Sequence, residues 1–338
     1  MNFQSNSTGN LFYTGSADCT IKCWDGFMGS VICSLTGHTG EIKTIVTMKD
    51  VAYIASGGSD RDIRIWDLQG SASSRADESV SASKLSGSVN QTIAKLHGSL
   101  GCVHSLCSHP RIPHILCSGG ADQCIRLWDI RTNRCVLNFF GHKGTVETIC
   151  MQGMEPQILS GSSDGAVHAW NITAGKEDPS GKTPPKALKY HSKSVRASFL
   201  HPKEYLYMSL SSDSYQYWNL PSLNAWKRIH PHQVSTLRSF HGDSLNAACL
   251  SESGRFFVTG HASGTLRFLD WQSGMCYLEK HERSTSETQL RLENGGVQGS
   301  SFSEQQRGIV ATVLNKGDNM LFTSLRDKTI HLYINTDE

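Results

Sequence analysis

The sequence predicts an all-β fold in which seven repeated sheets form the blades of a β-propeller. A Ser-Gly-x-x-Asp segment followed by an alternating strand that ends in Trp-Asp recurs along the chain, as in residues 56–67 (SGGSDRDIRIWD) and 118–129 (SGGADQCIRLWD). Sequence repeats of about 40–45 residues with this signature form four-stranded blades that pack face to face. Because the copies span nearly the whole chain, we expect one domain over residues 1–338. The successive copies end at Trp24, Trp66, Trp128, Trp170, Trp218, Leu269 and Tyr333.

Each repeat has residues suited to the strands and turns of such a blade. The alternating apolar residues Ile63 and Ile65 match the two-residue period of a β-strand. The glycine and the aspartate of the Ser-Gly-x-x-Asp segment predict the turn between the second and third strands. Gly-His pairs, such as Gly37-His38 and Gly141-His142, precede the predicted inner strands.

These features resemble the WD40 family of propeller proteins. The resemblance implies that a histidine, a strand serine, the turn aspartate and the final tryptophan of a blade form a buried hydrogen-bond network. The third blade has Ser99 at the place of the histidine. By position, the network residues are His38, Ser56, Asp60 and Trp66 in blade two, Ser118, Asp122 and Trp128 in blade three, and His142, Ser160, Asp164 and Trp170 in blade four.

Two further blades depart from this pattern. The fifth is one residue short between Asp213 and Trp218. The sixth has Ser263 in place of the aspartate and Leu269 in place of the tryptophan. Each lost partner removes a hydrogen bond worth about 0.5–1.5 kcal/mol. We therefore expect these blades to depend more on apolar packing.

Histidine, serine and aspartate at a recurrent spacing suggest a hydrolase at first sight, but the recurrence argues against one. An enzyme needs one preorganised site with an oxyanion hole, whereas this set repeats in several blades. The sequence also contains no phosphate-binding loop. We predict no enzymatic activity, no cofactor and no small-molecule substrate.

Composition narrows the class of protein further. The chain has 338 residues, a hydrophobic share of 38% and a formal net charge of +2, a balance that does not by itself indicate nucleic-acid binding. The sequence contains no long apolar run that predicts a membrane span, and its first residues, MNFQSNSTGN, lack the features of a signal peptide. We interpret the 11 cysteines as reduced core thiols, since most lie on apolar strand patterns.

Three insertions and both ends of the chain interrupt the regular repeat. Residues 70–90 are serine-rich and predict a disordered surface loop, and residues 174–187 and 279–300 also have the composition of loops. Roughly nine residues precede the predicted second strand of the first blade, and few follow Tyr333. We therefore expect the first and last blades to be incomplete.

The chain, most of all its C-terminal half, resembles the pleiotropic regulator family, which comprises WD40 proteins of the spliceosome associated with the NineTeen complex. The similar segments are HSKSVRASFLHPKE at 191–204, LWDIRT at 127–132, and GTLRFLDWQSG at 264–274. The resemblance implies a nuclear scaffold of pre-mRNA splicing that binds a Myb-like splicing factor and an extended SNW-domain protein close to the snRNA. Family members carry an extension ahead of the propeller, so functions of that extension do not transfer.

Polar residues recur near the entry of the predicted inner strands, at the rim where partner peptides commonly dock. A mixed rim of this kind is suited to protein rather than to bare nucleic acid. The basic residues between 176 and 203 leave three readings open: contact with RNA phosphate, contact with an acidic partner segment, and a solvated surface. The candidate contact residues are Lys43, His104, Glu147, Arg196 and Asn246, at matching positions in five blades, and the nearby Lys193.

The segment Trp128-Asp129-Ile130-Arg131 supports a different function. This W-D-x-R box resembles the motif by which WD40 substrate receptors dock on the adaptor of a cullin-RING ubiquitin ligase, with Arg131 as the docking residue. An ordinary strand end explains the same four residues. A ubiquitin-ligase receptor and a general WD40 adaptor therefore stand as alternatives to the splicing scaffold. His230-Pro231-His232 is interpreted as an exposed loop, because the sequence offers no third metal ligand beside it.

Overall fold

The strands of this chain form seven sheets, as the repeat predicts. Within the part of the chain that the computed structural model describes, nearly every element is a β-strand. The described residues are 2–5, 11–26, 28–48, 53–68, 88–89, 92–153, 155, 157–173, 186–189, 191–220, 222–229, 243–281, 308–314, 320–326 and 329–334.

The strands of each blade follow one another from an inner to an outer position. Blade one contains β1 (Asn2–Ser5), β2 (Leu11–Gly15), β3 (Thr20–Asp25) and β4 (Val31–Thr36). Blade two contains β5 (Ile42–Thr47), β6 (Tyr53–Gly58), β7 (Ile63–Asp67) and β9 (Thr92–Leu96), while β8 (Ser88–Val89) pairs in parallel with β4. Blade three contains β10 (Val103–Ser108), β11 (Ile115–Gly120), β12 (Cys124–Asp129) and β13 (Arg134–Phe140).

The remaining blades continue the same antiparallel order. Blade four contains β14 (Val146–Met151), β15 (Gln157–Ser162), β16 (Ala166–Asn171) and β17 (Lys186–Lys189). Blade five contains β18 (Val195–Leu200), β19 (Leu206–Ser211), β20 (Tyr215–Asn219) and β21 (Asn224–Ile229). Blade six contains β22 (Leu245–Leu250), β23 (Phe256–His261), β24 (Thr265–Asp270) and β25 (Cys276–His281). Blade seven contains β26 (Ile309–Leu314), β27 (Met320–Leu325) and β28 (Ile330–Ile334).

The inner strands close into a ring. Strands β1, β5, β10, β14, β18, β22 and β26 contact one another in chain order, and β26 contacts β1. The prediction that blade one is incomplete was wrong, because residues 2–5 form β1 and pair with β2 from Asn2↔Gly15 to Ser5↔Phe12. Four residues are enough for a short strand. Blade seven has three strands among the described residues, and the incompleteness of the last blade stays a prediction, because residues 282–307 and 335–338 lie outside them.

The hydrophobic core consists of apolar layers between neighbouring blades, since each sheet buries both of its faces. In β7, Ile63 and Ile65 face the layer shared with blade three, whereas Trp66 faces the layer shared with blade one. The same division recurs around the ring, so that seven apolar clusters fill seven interfaces. The alternation read from the sequence therefore separates two buried faces rather than a buried face and a solvated one.

Aromatic packing closes the ring between blades seven and one. The rings of Phe12 in blade one and Phe322 in blade seven have centroids 4.2 Å apart. Phe12 also stacks on Trp24 with centroids 5.9 Å apart, and Ala311 and Met320 complete the buried cluster. Closure of the ring therefore depends on apolar side chains of the second and third strands.

The glycine of the Ser-Gly-x-x-Asp segment lies inside the second strand, and not in the turn that the sequence predicts for it. A Cβ at Gly57 would lie 2.6 Å from Cγ1 of Val103, and one at Gly161 would lie 2.5 Å from Cγ1 of Val195. Each valine is the first residue of the next inner strand. The missing side chain therefore allows the next blade to approach the sheet closely. Gly15, Gly119 and Gly260 meet the neighbouring blade in the same way.

Strands reach a few residues into the three segments predicted as insertions. Ser88–Val89 form β8, the segment Lys186–Lys189 forms the outer strand of blade four, and β25 extends to His281. The backbone groups of the third strands find partners in these segments. The rest of the predicted insertions, including 70–87, 174–185 and 282–300, lies outside the described residues.

Replacing Phe322 by alanine should destabilise the protein by about 3–5 kcal/mol, because it removes a buried ring from the closing interface. Phe140→Ala is the control, since Phe140 is 54% exposed on β13. Urea unfolding followed by circular dichroism measures the free energy of unfolding of both variants. Equal losses for the two substitutions would contradict the apolar closure of the ring.

Candidate partner-binding rim

In blade two, the predicted network forms around one buried hydroxyl group. The Oγ of Ser56 accepts a hydrogen bond from Nε1 of Trp66 at 2.8 Å and lies 2.7 Å from Nε2 of His38. The other ring nitrogen of His38, Nδ1, lies 2.6 Å from Oδ2 of Asp60. Asp60 also accepts the backbone N–H of Thr39 at 3.1 Å. The network therefore ties the loop before β5 to the turn between β6 and β7.

Blade four repeats this network with one looser contact. The Oγ of Ser160 accepts a hydrogen bond from Nε1 of Trp170 at 2.8 Å and lies 2.7 Å from Nε2 of His142. Nδ1 of His142 is 3.8 Å from Oδ2 of Asp164, which is too far for a hydrogen bond. His168 stacks on His142 with ring centroids 4.1 Å apart. In blade four, two stacked imidazoles therefore lie near the carboxylate of Asp164, whereas in blade two one imidazole contacts Asp60 closely.

Blade three uses an arginine where the histidine is missing. The Oγ of Ser118 accepts a hydrogen bond from Nε1 of Trp128 at 2.8 Å, and Asp122 accepts the backbone N–H of Leu100 at 3.0 Å. Arg126 on β12 is 7% exposed and donates to Asp122 at 2.5 Å. The guanidinium therefore pairs with the turn aspartate. Arg126 is not among the predicted network residues, and its position two residues before the tryptophan is the signal in the sequence that could have identified it.

The prediction of an incomplete network in blade five was wrong. Nε2 of His191 lies 2.7 Å from Oγ of Ser209, which accepts Nε1 of Trp218 at 3.0 Å. Nδ1 of His191 lies 2.9 Å from Oγ of Ser214. Because the turn between β19 and β20 is one residue short, Ser214 reaches the histidine at the place where blade two uses aspartate. Asp213 instead accepts the backbone N–H of the residue after His191 at 3.0 Å.

Blade six lacks the indole, as the sequence predicts, but it contains a charged network in addition to apolar packing. Nη1 of Arg267 donates to Nε2 of His261 at 2.9 Å, and its Nε donates to Glu279 at 3.2 Å. Arg267 is 2% exposed, so these partners offset the cost of burying its charge. Asp243 accepts the backbone N–H of Ser263 at 3.0 Å. Here the loop supplies the aspartate and the turn supplies the N–H, whereas in blade two the turn aspartate accepts the N–H of Thr39 in the loop.

The network serines are placed for structure rather than for nucleophilic attack. Each is at most 1% exposed and already accepts a hydrogen bond from a tryptophan. A nucleophile must be open to its substrate. Residues 161–165 (GSSDG) match the G-x-S-x-G pattern of hydrolases, but Ser163 lies in a turn between two antiparallel strands rather than in a strand-to-helix elbow. The serines concerned are Ser56, Ser118, Ser160 and Ser209.

Burial keeps the network histidines neutral. Burial lowers the pKa of His38, although Asp60 opposes the shift. Burial and the neighbouring His168 lower the pKa of His142 to about 4. Burial also lowers the pKa of His191 to about 4, against the attraction of Asp213. A neutral imidazole offers one donor and one acceptor, which suits a ring that lies between a hydroxyl and a second polar group.

The five predicted contact residues occupy one structural position, and we term them the rim: Lys43, His104, Glu147, Arg196 and Asn246. Each is the second residue of an inner strand, and the pairing with the second strand shifts register at it. A β-bulge of this kind leaves one residue out of the ladder and re-aims its side chain. The rim lies at the end of the blades where the loops enter the inner strands, which we term the upper face.

Three rim residues on consecutive blades form a polar cluster. Oε2 of Glu147 lies 3.6 Å from Nδ1 of His104 and 3.6 Å from Nη1 of Arg196. The side chain of Glu147 is 17% exposed, whereas that of Arg196 is 47% exposed. The cluster therefore places one carboxylate between two basic groups across blades three to five, with the guanidinium open to a partner.

The other two rim residues have partners of their own. Nζ of Lys43 lies 2.7 Å from Oε2 of Glu41 in the same blade. Nδ2 of Asn246 donates to the backbone carbonyl of Ile309 in blade seven at 2.8 Å. The structure thus brings all five residues to one face, and it joins His104, Glu147 and Arg196 through direct contacts.

The buried networks and the rim are linked by sequence spacing. His38, His142 and His191 each precede a rim residue by five positions. The turn aspartates accept backbone N–H groups of the loops that contain these histidines. The networks therefore hold the loop that leads into each inner strand, and they fix where the bulge and its side chain lie.

The basic residues between 176 and 203 do not form one patch. Lys193 is exposed in the loop before β18, and Arg196 lies on the rim. Lys203 follows β18, at the opposite end of that strand. Of these three residues, Lys193 and Arg196 lie on the upper face. The other basic residues of the segment are Lys186 and Lys189 on β17, and Lys176 and Lys182, which lie outside the described residues.

Arg131 lies in the turn between β12 and β13, on the face opposite the rim. Its Nη2 donates to Oδ2 of Asp129 at 3.0 Å, and its Nε donates to Oδ1 at 3.3 Å. The side chain of Arg131 is 66% exposed. The carboxylate of Asp129 therefore holds the guanidinium at the surface.

Among the described residues, no helix is long and apolar enough to cross a bilayer. In the same part of the chain, no three histidine, cysteine or acidic side chains gather as metal ligands. The segment His230-Pro231-His232 lies outside it.

Comparison with protein-family models agrees with the repeat. The model described as "WD domain, G-beta repeat" matches residues 2–25, 29–67, 90–129, 133–171 and 232–270, which make up more than half of the chain. The chain belongs to the WD40 family. The first match includes β1. Blades five and seven lie outside the matches, and their strands identify them as WD40 blades.

Proteins whose names indicate different roles are similar to about half of this chain. Nuclear distribution protein PAC1-2 of Uncinocarpus reesii is 25% identical over 171 residues, 50% of this chain and 37% of that protein. Mitochondrial division protein 1 of Saccharomyces cerevisiae is 25% identical over 197 residues, 50% of this chain and 26% of that protein. The U5 small nuclear ribonucleoprotein 40 kDa protein of Dictyostelium discoideum is 27% identical over 175 residues, 52% of this chain and 43% of that protein. The chain covers less than half of each relative, so these similarities indicate a WD40 scaffold without selecting one role.

The stability of the WD40 ring should fall as the pH is lowered from about 6.5 to about 4. In this range the network histidines become protonated in the unfolded chain but stay neutral in the folded protein. The pKa of His142 and of His191 is lowered to about 4 in the folded protein. Their contribution to the free energy of unfolding is therefore complete above the pKa that histidine has in the unfolded chain, and it is lost as the pH falls below that value. Scanning calorimetry across this range should show a falling Tm. With His191→Gln, Tm should fall less steeply with decreasing pH than in the unsubstituted chain. His97→Gln, which replaces an exposed histidine, should leave the slope unchanged. A Tm independent of pH in this window would contradict the neutral networks.

Proposed function

We propose that this WD40 protein is a non-enzymatic scaffold that holds protein partners of pre-mRNA splicing on its upper face. The observation that carries the proposal is the rim cluster of His104, Glu147 and Arg196. These side chains are aimed by bulges on a closed ring, so the surface is formed before a partner arrives. A preformed surface loses little conformational freedom on binding.

The charge pattern of the rim favours a protein partner over RNA. Phosphate binding usually relies on several cations without a carboxylate among them. Here Glu147 lies between His104 and Arg196, and Glu41 lies beside Lys43. The formal net charge of the chain is only +2. Alternating signs of charge select a partner by complementarity.

The resemblance of residues 191–204 to the pleiotropic regulator family supports a role in splicing. This segment supplies His191 of the blade-five network and Arg196 of the rim. The similarity to a relative named as a U5 small nuclear ribonucleoprotein also favours a role in splicing. On this proposal the protein works in the nucleus, its partners are a Myb-like splicing factor and an SNW-domain protein, and the snRNA lies nearby.

The exposed Arg131 favours a second candidate function. Its guanidinium is held at the surface by Asp129 on the face opposite the rim. A W-D-x-R box in this state is free to meet the adaptor of a cullin-RING ubiquitin ligase. The two functions use opposite faces, so substitutions separate them.

Arg196→Glu should remove splicing proteins from the purified complex, because it places a carboxylate beside Glu147 and reverses the accessible charge of the rim. We expect a loss of about tenfold, which corresponds to about 1.4 kcal/mol. Affinity purification of the tagged chain with quantitative mass spectrometry measures it. Lys203→Glu is the control, since Lys203 follows the same strand at its other end.

A double exchange, Glu147→Arg with Arg196→Glu, separates a partner contact from an internal ion pair. It keeps opposite charges next to each other but exchanges their positions, so partner binding should remain lost. Full binding by the double variant would contradict docking at the rim. Capture of a cullin adaptor that only Arg131→Ala abolishes would favour the ligase function. Loss of RNA crosslinking with all proteins retained would reassign the rim to RNA.

A further inference from the structure

Two pairs of cysteines lie directly opposite each other on neighbouring antiparallel strands. Cys23 on β3 is in register with Cys33 on β4, at the outer side of blade one. Cys107 on β10 is in register with Cys117 on β11, at the inner side of blade three. All four are free thiols. The two pairs share a backbone arrangement but differ in their surroundings.

The register of each pair is compatible with a disulfide bond. Directly opposed residues of antiparallel strands have Cα atoms about 4.5 or 5.5 Å apart, depending on the hydrogen-bond pattern. Disulfides form at Cα separations of about 4.4–6.8 Å. Bond formation would therefore require rotation of side chains rather than movement of strands.

The contacts of the thiols distinguish the two pairs, since Cys33 and Cys107 are both partly exposed. Cys33 is partly exposed on the outer strand, and Cys23 is 4% exposed beneath it. A hydrogen bond from the Cys23 side chain lowers the pKa of the Cys33 thiol. Burial raises the pKa of Cys107 to about 12 and raises the pKa of Cys117, which is wholly buried, well above its usual value. In the first pair the two side chains thus hydrogen-bond each other, whereas Sγ of Cys107 in the second pair donates to the backbone carbonyl of Ser108 at 3.5 Å.

We propose that Cys23 and Cys33 form a site of reversible oxidation, at which a peroxide converts the two thiols into a disulfide within blade one. The proposal concerns a covalent modification and is independent of the function assigned to the rim. Cys107 and Cys117 stay reduced under the same conditions, although their strands are in the same register.

The reaction balances with one molecule of hydrogen peroxide. The Cys33 thiolate attacks one peroxide oxygen, the O–O bond breaks, and the sulfur becomes a sulfenic acid while the hydroxide released takes up a proton. The Cys23 sulfur then attacks the Cys33 sulfur, the S–O bond breaks, and the departing hydroxide takes up the Cys23 proton. Two thiols and one peroxide give one disulfide and two water molecules. A dithiol reductant reverses the change by thiol–disulfide exchange.

The bond would tie the third strand of blade one to its outer strand. Cys23 belongs to the apolar layer between blades one and two, which also contains Tyr13 and Trp66, and Cys33 packs against this layer. Oxidation therefore fastens the outer strand to a strand that is already anchored in the core. We expect the oxidised protein to melt at a higher temperature than the reduced one, and the difference to disappear after reduction.

The test uses the folded full-length chain and one equivalent of hydrogen peroxide. After the reaction, remaining thiols are alkylated in denaturant, and peptides are mapped by mass spectrometry without reduction. We expect a Cys23–Cys33 cross-linked peptide, the loss of two alkylatable thiols, and complete alkylation of Cys107 and Cys117. Cys33→Ser should abolish the cross-link, whereas Cys107→Ser should leave its yield unchanged.

Several outcomes would overturn the proposal. One is conversion of Cys33 to a sulfinic acid with Cys23 still alkylated. Another is cross-linking of Cys107 to Cys117 at the same rate, which would show that the contact between the two thiols does not select the site. A third is full alkylation of all four cysteines, provided that circular dichroism shows a folded chain.

Discussion

A buried hydroxyl that accepts a hydrogen bond from a tryptophan indole is the constraint on which the rest of this structure depends. The pair recurs in the first five blades, from Trp24 with Thr14 to Trp218 with Ser209. In blades two, four and five a histidine from the preceding loop contacts the same hydroxyl. Because these groups are buried away from water, a donor or acceptor left without its hydrogen bond would cost about 1–3 kcal/mol. One hydroxyl therefore fixes a strand pair and the loop that leads to the rim.

The same constraint connects stability with the proposed function. Apolar layers hold neighbouring blades together, but they do not specify where a loop ends and an inner strand begins. In blades two, four and five the network histidine supplies this information five residues before the rim side chain. In blade six, Arg267 and Asp243 perform the task with charges in place of an indole. Different sets of buried polar groups thus produce one rim geometry, which explains how a chain with irregular repeats still presents Glu147 between two bases.

Sequence reasoning predicted the blades and the rim positions, because both follow from counting along a repeat. It failed where the outcome depends on which side chains meet in the folded blade. Arg126 on β12 pairs with Asp122 in the turn before that strand, and the short turn of blade five brings Ser214 to His191. Strand β1 was missed because a four-residue strand carries no signal of its own. The contacts within the rim depend on the spacing between blades, which no single repeat encodes.

The central claim, that buried networks position the rim, is tested most directly by hydrogen exchange in two variants of blade five. His191 lies in the loop before β18, and His201, after the same strand, accepts the backbone N–H of Glu204 at 2.8 Å. His191→Ala should accelerate amide exchange in residues 192–197 and leave 202–206 protected, and His201→Ala should do the reverse. If His191→Ala leaves exchange at 192–197 unchanged, or raises it equally along the whole chain, the networks do not position the rim.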